Sequence, residues 1–504
     1  MNFKRNCLII TALLACVFTV AGCGKDKGFK RFSFIEEVED SHEDFESPDG
    51  SYSRLGNYAS YNTSSKELGS TYEVMTKYSA KKYMKSTGDQ KLLVVPVQFS
   101  DYTTYNLGID ESEYIDKLNR AFFGKQENNQ FVSVSEYYNR SSYGKLRISG
   151  KVCDKFFEFP YSVYEINKYT FDRNSVANSY SKIIDWYCKT YPDDDIESYR
   201  IDENIAADQD NVAIYCVYCY PTELNSENKD FFWNYTFLNK PLSWASFSAV
   251  NSINENPDSH VLIHETGHLL GLKDYYPAKT GDPEPIGRID MMDSNLGDHS
   301  AFSKMYLDWL RPIQVKKSCE ISIEPLVKKG DVILINNSWN KTVFDEYYLI
   351  EFYTPTDLNC YDTTNGNSLG ILPNLPGIKL FHVDARLGYF ESKTGSSVRD
   401  DLVFKDYCET DVSTPNGKNI DFAHDNSTYP DASAAEPNKK NFLYELKLNH
   451  VDHVQSACAN NVNLFHKGDV MPELTFNSIN ATNYKIEITG LTYRNATIKF
   501  TQID

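Results

Sequence analysis

Three textures of apolar and polar positions follow one another along this 504-residue chain. Behind an apolar leader, the stretch from Gly24 to about Gly88 is polar and irregular, with eight acidic residues between Glu36 and Asp49 and a Ser/Tyr/Asn-rich run after them. Low hydrophobicity and like charges resist collapse, so this stretch reads as a spacer, or alternatively as an inhibitory pro-segment. At Lys91 to Asp101 the texture turns to a nearly continuous apolar run that predicts a buried strand, with Pro96 marking a bulge or an edge. Glu111 to Phe123 has helical spacing, Ser133 to Leu146 reads as helix, turn and strand, Ser175 to Lys189 as a helix, and Asn211 to Tyr220 as a second buried strand. Beyond Pro312 no long helical pattern occurs. Short apolar or alternating runs separated by Asn, Asp, Gly and Pro predict strands at 332–335, 347–352, 378–383, 442–448, 484–488 and 496–500. The third texture is therefore a β-rich region.

Between the last two textures lies PDSHVLIHETGHLLGLKD, residues 257–274. Asn256 as cap and Pro257 at the first position predict a helix start, and Leu262, Ile263, Leu269 and Leu270 supply apolar faces that would bury the helix. Gly271 permits the left-handed turn that ends it.

Composition narrows the setting. The net charge of -19, more negative still once a basic leader is removed, repels phosphate backbones and excludes nucleic acid as a partner. Lys4 and Arg5, the apolar run Cys7 to Val20, and Val20-Ala21-Gly22-Cys23 have the form of an export signal. The tetrapeptide resembles a bacterial lipobox, which implies that Cys23 is lipid-modified and tethers the chain to the outer face of a membrane. Outside the cell the remaining cysteines are free to form disulfides. Cys216 and Cys219 have the spacing of a redox motif, but on a strand an i, i+3 pair faces opposite sides, so they are structural. Asp208 and Asp210 could hold calcium, although a solvated acidic turn explains them as well.

The chemistry is concentrated in His264-Glu265-x-x-His268-x-x-Gly271-x-x-Asp274. Residues four apart lie about one helical turn apart, so His264 and His268 project from one face and can hold one zinc ion. Glu265 then sits beside the metal, where a carboxylate can take a proton from an activated water. Past Gly271 the chain can swing back to present Asp274 as third ligand. Two rivals exist for that role. His260 lies one turn before His264, but three imidazoles in a row span about 12 Å, too far to converge on one ion. His299 could approach from below. His382 and Asp384 share a strand face without a third ligand nearby.

This motif, followed by Asp290-Met291-Met292-Asp293, resembles the metzincin clan of zinc endopeptidases, and within it the immune inhibitor A-type secreted bacterial metallopeptidases, which use Asp in place of a third His. Ser300 to Lys304, Trp309 to Pro312, Ser141-Ser142-Tyr143-Gly144, Glu346 to Glu351 and Pro376 to Asp384 resemble further family segments. The resemblance implies an α/β metzincin-like catalytic domain over 89–315 and a β-rich, sandwich-like domain over 316–504, after a lipoprotein signal peptide (1–22) and an acidic tether or pro-segment (23–88). It implies Zn2+ on His264, His268 and Asp274, Glu265 as base, Met292 as the methionine under the metal, and protein or peptide substrates. The alternative is a surface lipoprotein that binds glycan or host protein through its β-rich domain.

Overall fold

The computed structural model describes residues 44–54, 61–63, 66–68, 71–72, 75, 81–392 (except 126–128, 170, 207–208, 221–230, 247–255, 278–283, 337, 341 and 368–369), 402–406, 420–422, 426, 443–445 and 459–503 (except 477–481). The expected signal, the lipobox with Cys23, the densest part of the acidic run and Asp208 lie outside these residues. The fold is mixed α/β, with several sheets and few helices.

The first sheet is built on β1 (Gly88–Gln98), whose buried run Leu92 to Val97 sends alternate side chains into two cores. Strand β1 pairs in parallel with β2 (Leu146–Val152) on one side and with β3 (Ile214–Tyr218) on the other. Beyond β3 come β4 (Tyr235–Phe237) and β5 (Leu242–Ser246): β5 runs parallel to β3, and β4 pairs antiparallel to β5 at the sheet's end. Pro96 is therefore in a central strand. Its missing N–H falls where β1 changes partner, since pairing with β2 ends at Val94 and pairing with Phe157–Glu158 begins at Val97.

Helices α1 (Glu111–Phe123) and α2 (Val134–Ser141) pack on one face of this sheet together with α3 (His260–Leu269). Helix Tyr180–Thr190 covers the other face. The expected single helix at 175–189 is two, Arg173–Ala177 and Tyr180–Thr190. At the joint the Ser179 hydroxyl donates back to the Ser175 carbonyl, and its N–H reaches only to Val176, tightening the turn. Helix α3 also starts later than Asn256 and Pro257 suggested. The Pro257 carbonyl is taken by the N–H of Gln130, and the first helical N–H, that of His260, donates to Asp258. The helix begins where those competing bonds end.

The second half supplies β6 (Ile313–Val315), β7 (Val332–Ile335), β8 (Glu346–Tyr353) and β9 (Gly377–Asp384), consecutive members of a seven-stranded sheet. One face, through Ile333, Ile335, Ile350 and Leu380, packs on a three-stranded sheet of Cys319–Ile323, Tyr484–Leu491 and Ala496–Gln502. The other face, through Val332, Leu334, Leu349 and Phe381, joins the same core as α1, α2 and α3. Among the described residues the two halves thus share one core.

The polar spacer is in part built into this fold. Strands Phe45–Glu46 and Tyr52–Arg54 extend the seven-stranded sheet beyond β6, and Arg54 reaches the buried Asp331 at 2.7 Å. Further along, Met84 donates its N–H to the carbonyl of Leu269 at the end of α3, and Lys82 donates to Leu238 just past β4. Cys216 and Cys219 are free, buried and on opposite faces of the first sheet, as the strand spacing requires. Cys153, Cys188 and Cys319 are free as well, while Cys360 is disulfide-bonded.

Candidate metal centre

Helix α3 brings His264 and His268 to one side, and the chain returns through Gly271, whose φ of +102° only glycine adopts without strain. The N–H of Leu272 donates to the Gly267 carbonyl at 3.0 Å, closing the helix. This return places Asp274 Oδ1 at 3.1 Å from His264 Nε2 and 3.2 Å from His268 Nε2. The three ligand atoms lie within 4.8 Å of one another, and among the described residues no other trio of His, Cys, Asp or Glu does so.

Each imidazole is oriented by its other nitrogen. His264 Nδ1 is 2.8 Å from the carbonyl of Met291, and His268 Nδ1 is 2.8 Å from that of Leu272. A carbonyl only accepts, so both Nδ1 atoms carry a proton, and both Nε2 atoms are thereby turned toward Asp274. Two imidazole nitrogens, which would give up their Nε2 protons to a metal, and a carboxylate make a donor set that fits zinc and would leave a position open. Burial alone would lower the His268 pKa, but the Asp274 carboxylate outweighs it and raises it to about 9. Burial alone would raise the Asp274 carboxyl, but His268 and His264 hold it well below the usual range.

Glu265 is buried next to this trio, and burial pushes its carboxyl up against the pull of the two histidines. Its Oε2 accepts a hydrogen bond from Thr236 on β4 at 2.8 Å. Sequence reasoning missed Thr236: a hydroxyl in an unassigned run far from the motif carries no signal until the sheet places it.

Met291 and Met292 divide their work. Met291 offers its carbonyl to His264, and Met292 lays its sulfur against α3 at Gly267, where a Cβ would come within 2.5 Å of that sulfur. Met292 is thus the methionine beneath the helix. Asp290 caps the turn, accepting from the N–H of Met292 at 2.7 Å and from Ser300 at 2.8 Å.

The rival histidines are placed elsewhere. His260 stacks on Phe131 with ring centres 4.0 Å apart and sits between Asp258 and Asp362, 3.2 Å from the latter. His299 is buried among the rings of Tyr137, Tyr138 and Trp309. His382 bonds Glu346 at 2.8 Å and Asp384 pairs with Arg386, so this strand pair joins an ion cluster in the second half. Asp210 lies 3.8 Å from Lys240.

Compared with known proteins, the chain matches no family model and no curated protein.

Proposed function

We propose that the chain is a zinc-dependent endopeptidase of metzincin type, similar to the immune inhibitor A-type metallopeptidases and held at the outer face of a bacterial membrane by lipid on Cys23. The observation that carries the reading is the convergence of His264, His268 and Asp274, with both imidazoles tied by Nδ1 so that their Nε2 atoms turn to Asp274, beside a buried carboxylate. When bound there, zinc supplies a Lewis acid that makes water acidic near neutral pH and stabilises negative charge on a carbonyl oxygen. Glu265 takes the proton of the attacking water and passes it to the leaving amide nitrogen, so that a C–O bond forms as the C–N bond breaks. Met292 fills the space under the helix and keeps the ligands from sinking.

A peptide substrate is favoured over a glycan by β4. This strand ends its sheet, and its outer edge has no strand partner among the described residues. An extended peptide satisfies such an edge with its own backbone, and Thr236 puts that edge next to Glu265.

The test is cleavage of casein by the purified protein with and without chelator, alongside Glu265→Ala. The wild type should cleave only without chelator, and the variant should hold about one zinc per chain yet cleave nothing, because Glu265 serves the water and not the metal. Glycan or host-protein binding with no chelator-sensitive cleavage would return the chain to the binding-lipoprotein reading. For the tether, the wild type should partition with membranes and Cys23→Ala should not.

A further inference from the structure

The two oxygens of the Glu265 carboxylate have different surroundings. Oε2 is 2.8 Å from the hydroxyl of Thr236. Oε1 accepts no hydrogen bond from the described residues, yet it is not sealed from solvent. The Thr236 hydroxyl has three oxygen neighbours: Glu265 Oε2, the Ser243 hydroxyl at 2.9 Å and the Glu265 main-chain carbonyl at 3.0 Å. It has one proton to give, and the carboxylate is the strongest acceptor of the three. Ser243, fully buried on β5 and directly opposite Thr236 in the strand register, then donates to the Thr236 oxygen. The result is a directed chain, Ser243 to Thr236 to Glu265, in which each bond polarises the next.

A glutamate needs this because its last torsion is broad and roughly two-fold, so a carboxylate held only by its stem presents either oxygen and many tilts. Anchoring one oxygen to a hydroxyl fixed on a strand removes that freedom. It also satisfies the buried side of a group that would be costly to leave unpartnered. We propose that Thr236, supported by Ser243, is a positioning residue for the general base: the hydroxyl pair holds Glu265 by Oε2 so that Oε1 alone meets the water. The edge strand on which we place the substrate thereby also sets the base, coupling peptide position to proton transfer. This inference rests on the zinc-peptidase reading.

The experiment compares zinc-loaded full-length wild type with Thr236→Val, Thr236→Ser and Ser243→Ala, measuring kcat, KM, zinc content, melting temperature and the affinity of a peptide hydroxamate, whose hydroxyl shares its proton with the base. Valine keeps the β-branched shape and removes only the hydroxyl. Its kcat should fall about tenfold to a hundredfold, as for a misplaced catalytic group, with KM and zinc content unchanged and hydroxamate binding weakened. Thr236→Ser should recover most of the loss, and Ser243→Ala should show a smaller fall. If the hydroxyl only braces the hairpin, Thr236→Val will lower the melting temperature while kcat, read well below melting, stays within twofold of wild type; that overturns the inference. Should Thr236→Val not fold, Thr236→Ala removes the same hydroxyl and is read the same way. A wild type without zinc-dependent cleavage sinks the parent reading; an active wild type matched by its variants sinks only this one.

Discussion

His260 and His264 lie one turn apart on one helix and have different partners, Asp258 and Asp362 for the first and Asp274 for the second. Burial alone would lower the His260 pKa, but Asp362 and Asp258 on either side outweigh it and raise it to about 10. The folded value lies above the unfolded one, near 6.5, so the stabilisation is complete below that pH and is lost as pH rises toward 10. The melting temperature of wild type should therefore fall more steeply between pH 7 and 10 than that of His260→Gln; parallel curves would refute the imidazolium clamp. His299 has the reverse sign. Burial holds its pKa well below the usual value, and neither ring nitrogen has a hydrogen-bond partner. Its contribution is present above about 6.5 and lost as pH falls below it. His299→Leu should gain on wild type as the solution is acidified, and it should keep its zinc, whereas Asp274→Ala should lose zinc and activity together. Zinc retained by the Asp274 variant but lost from the His299 variant would reverse the ligand assignment.

At the scale of elements, the segment after the methionine turn is held by side chains from another part of the chain. Asn367 donates to the carbonyl of Ser294, Asp362 accepts from the N–H of Gly297 at 2.7 Å, Asn359 from Asp298 at 2.9 Å and Glu351 from Ala301 at 2.9 Å. Asp362 also holds His260, so one carboxylate ties the start of α3 to the loop beneath it. Removing it leaves a buried imidazolium half-compensated. Asp362→Ala should cost about 3–5 kcal/mol, the usual loss when one partner of a buried ion pair is deleted, against about 1–2 kcal/mol for Asn359→Ala. Urea midpoints at pH 7 measure both, and equal shifts would argue against the clamp. The extents of α1 and of β7, β8 and β9 were legible because their apolar spacing is local. The start of α3 and the joint at Ser179 were not, since partners distant or polar, Gln130 and the Ser175 carbonyl, took the bonds that propensity would have given the helix.

For the whole molecule, the second half is a wall of the first. Val332, Leu334, Tyr347, Leu349, Phe381 and Val383 belong to one core with Leu262, Ile263 and Met292. A chain ending at 315 would expose that face of the core and lose Glu351, Asn359 and Asp362 from the loop 297–301. Residues 81–315 made alone should be aggregated or molten, without near-ultraviolet circular dichroism and without stoichiometric zinc. A monomer with a sharp melting transition would refute this. The segment 44–54 also belongs to the body: Arg54→Ala strands the buried Asp331 and should destabilise the full chain, which a detached spacer would not do.

Some of this was settled by the sequence alone. The spacing of His264, Glu265, His268, Gly271 and Asp274 fixes a one-turn interval and a glycine return, both local properties of a helix and its end, so the clustering of His264, His268 and Asp274 could be foreseen. The alternation of Cys216 and Cys219 between faces follows from the same kind of local geometry. What the sequence left open were relations between residues far apart in it. The hydroxyl of Thr236 on Glu265, the carboxylate of Asp362 between His260 and Gly297, and the incorporation of 45–54 into a sheet with 313–315 join segments 29 to about 260 residues apart. No periodicity encodes such contacts. They exist because buried polar groups must find partners, and only the packed chain determines which ones are within reach.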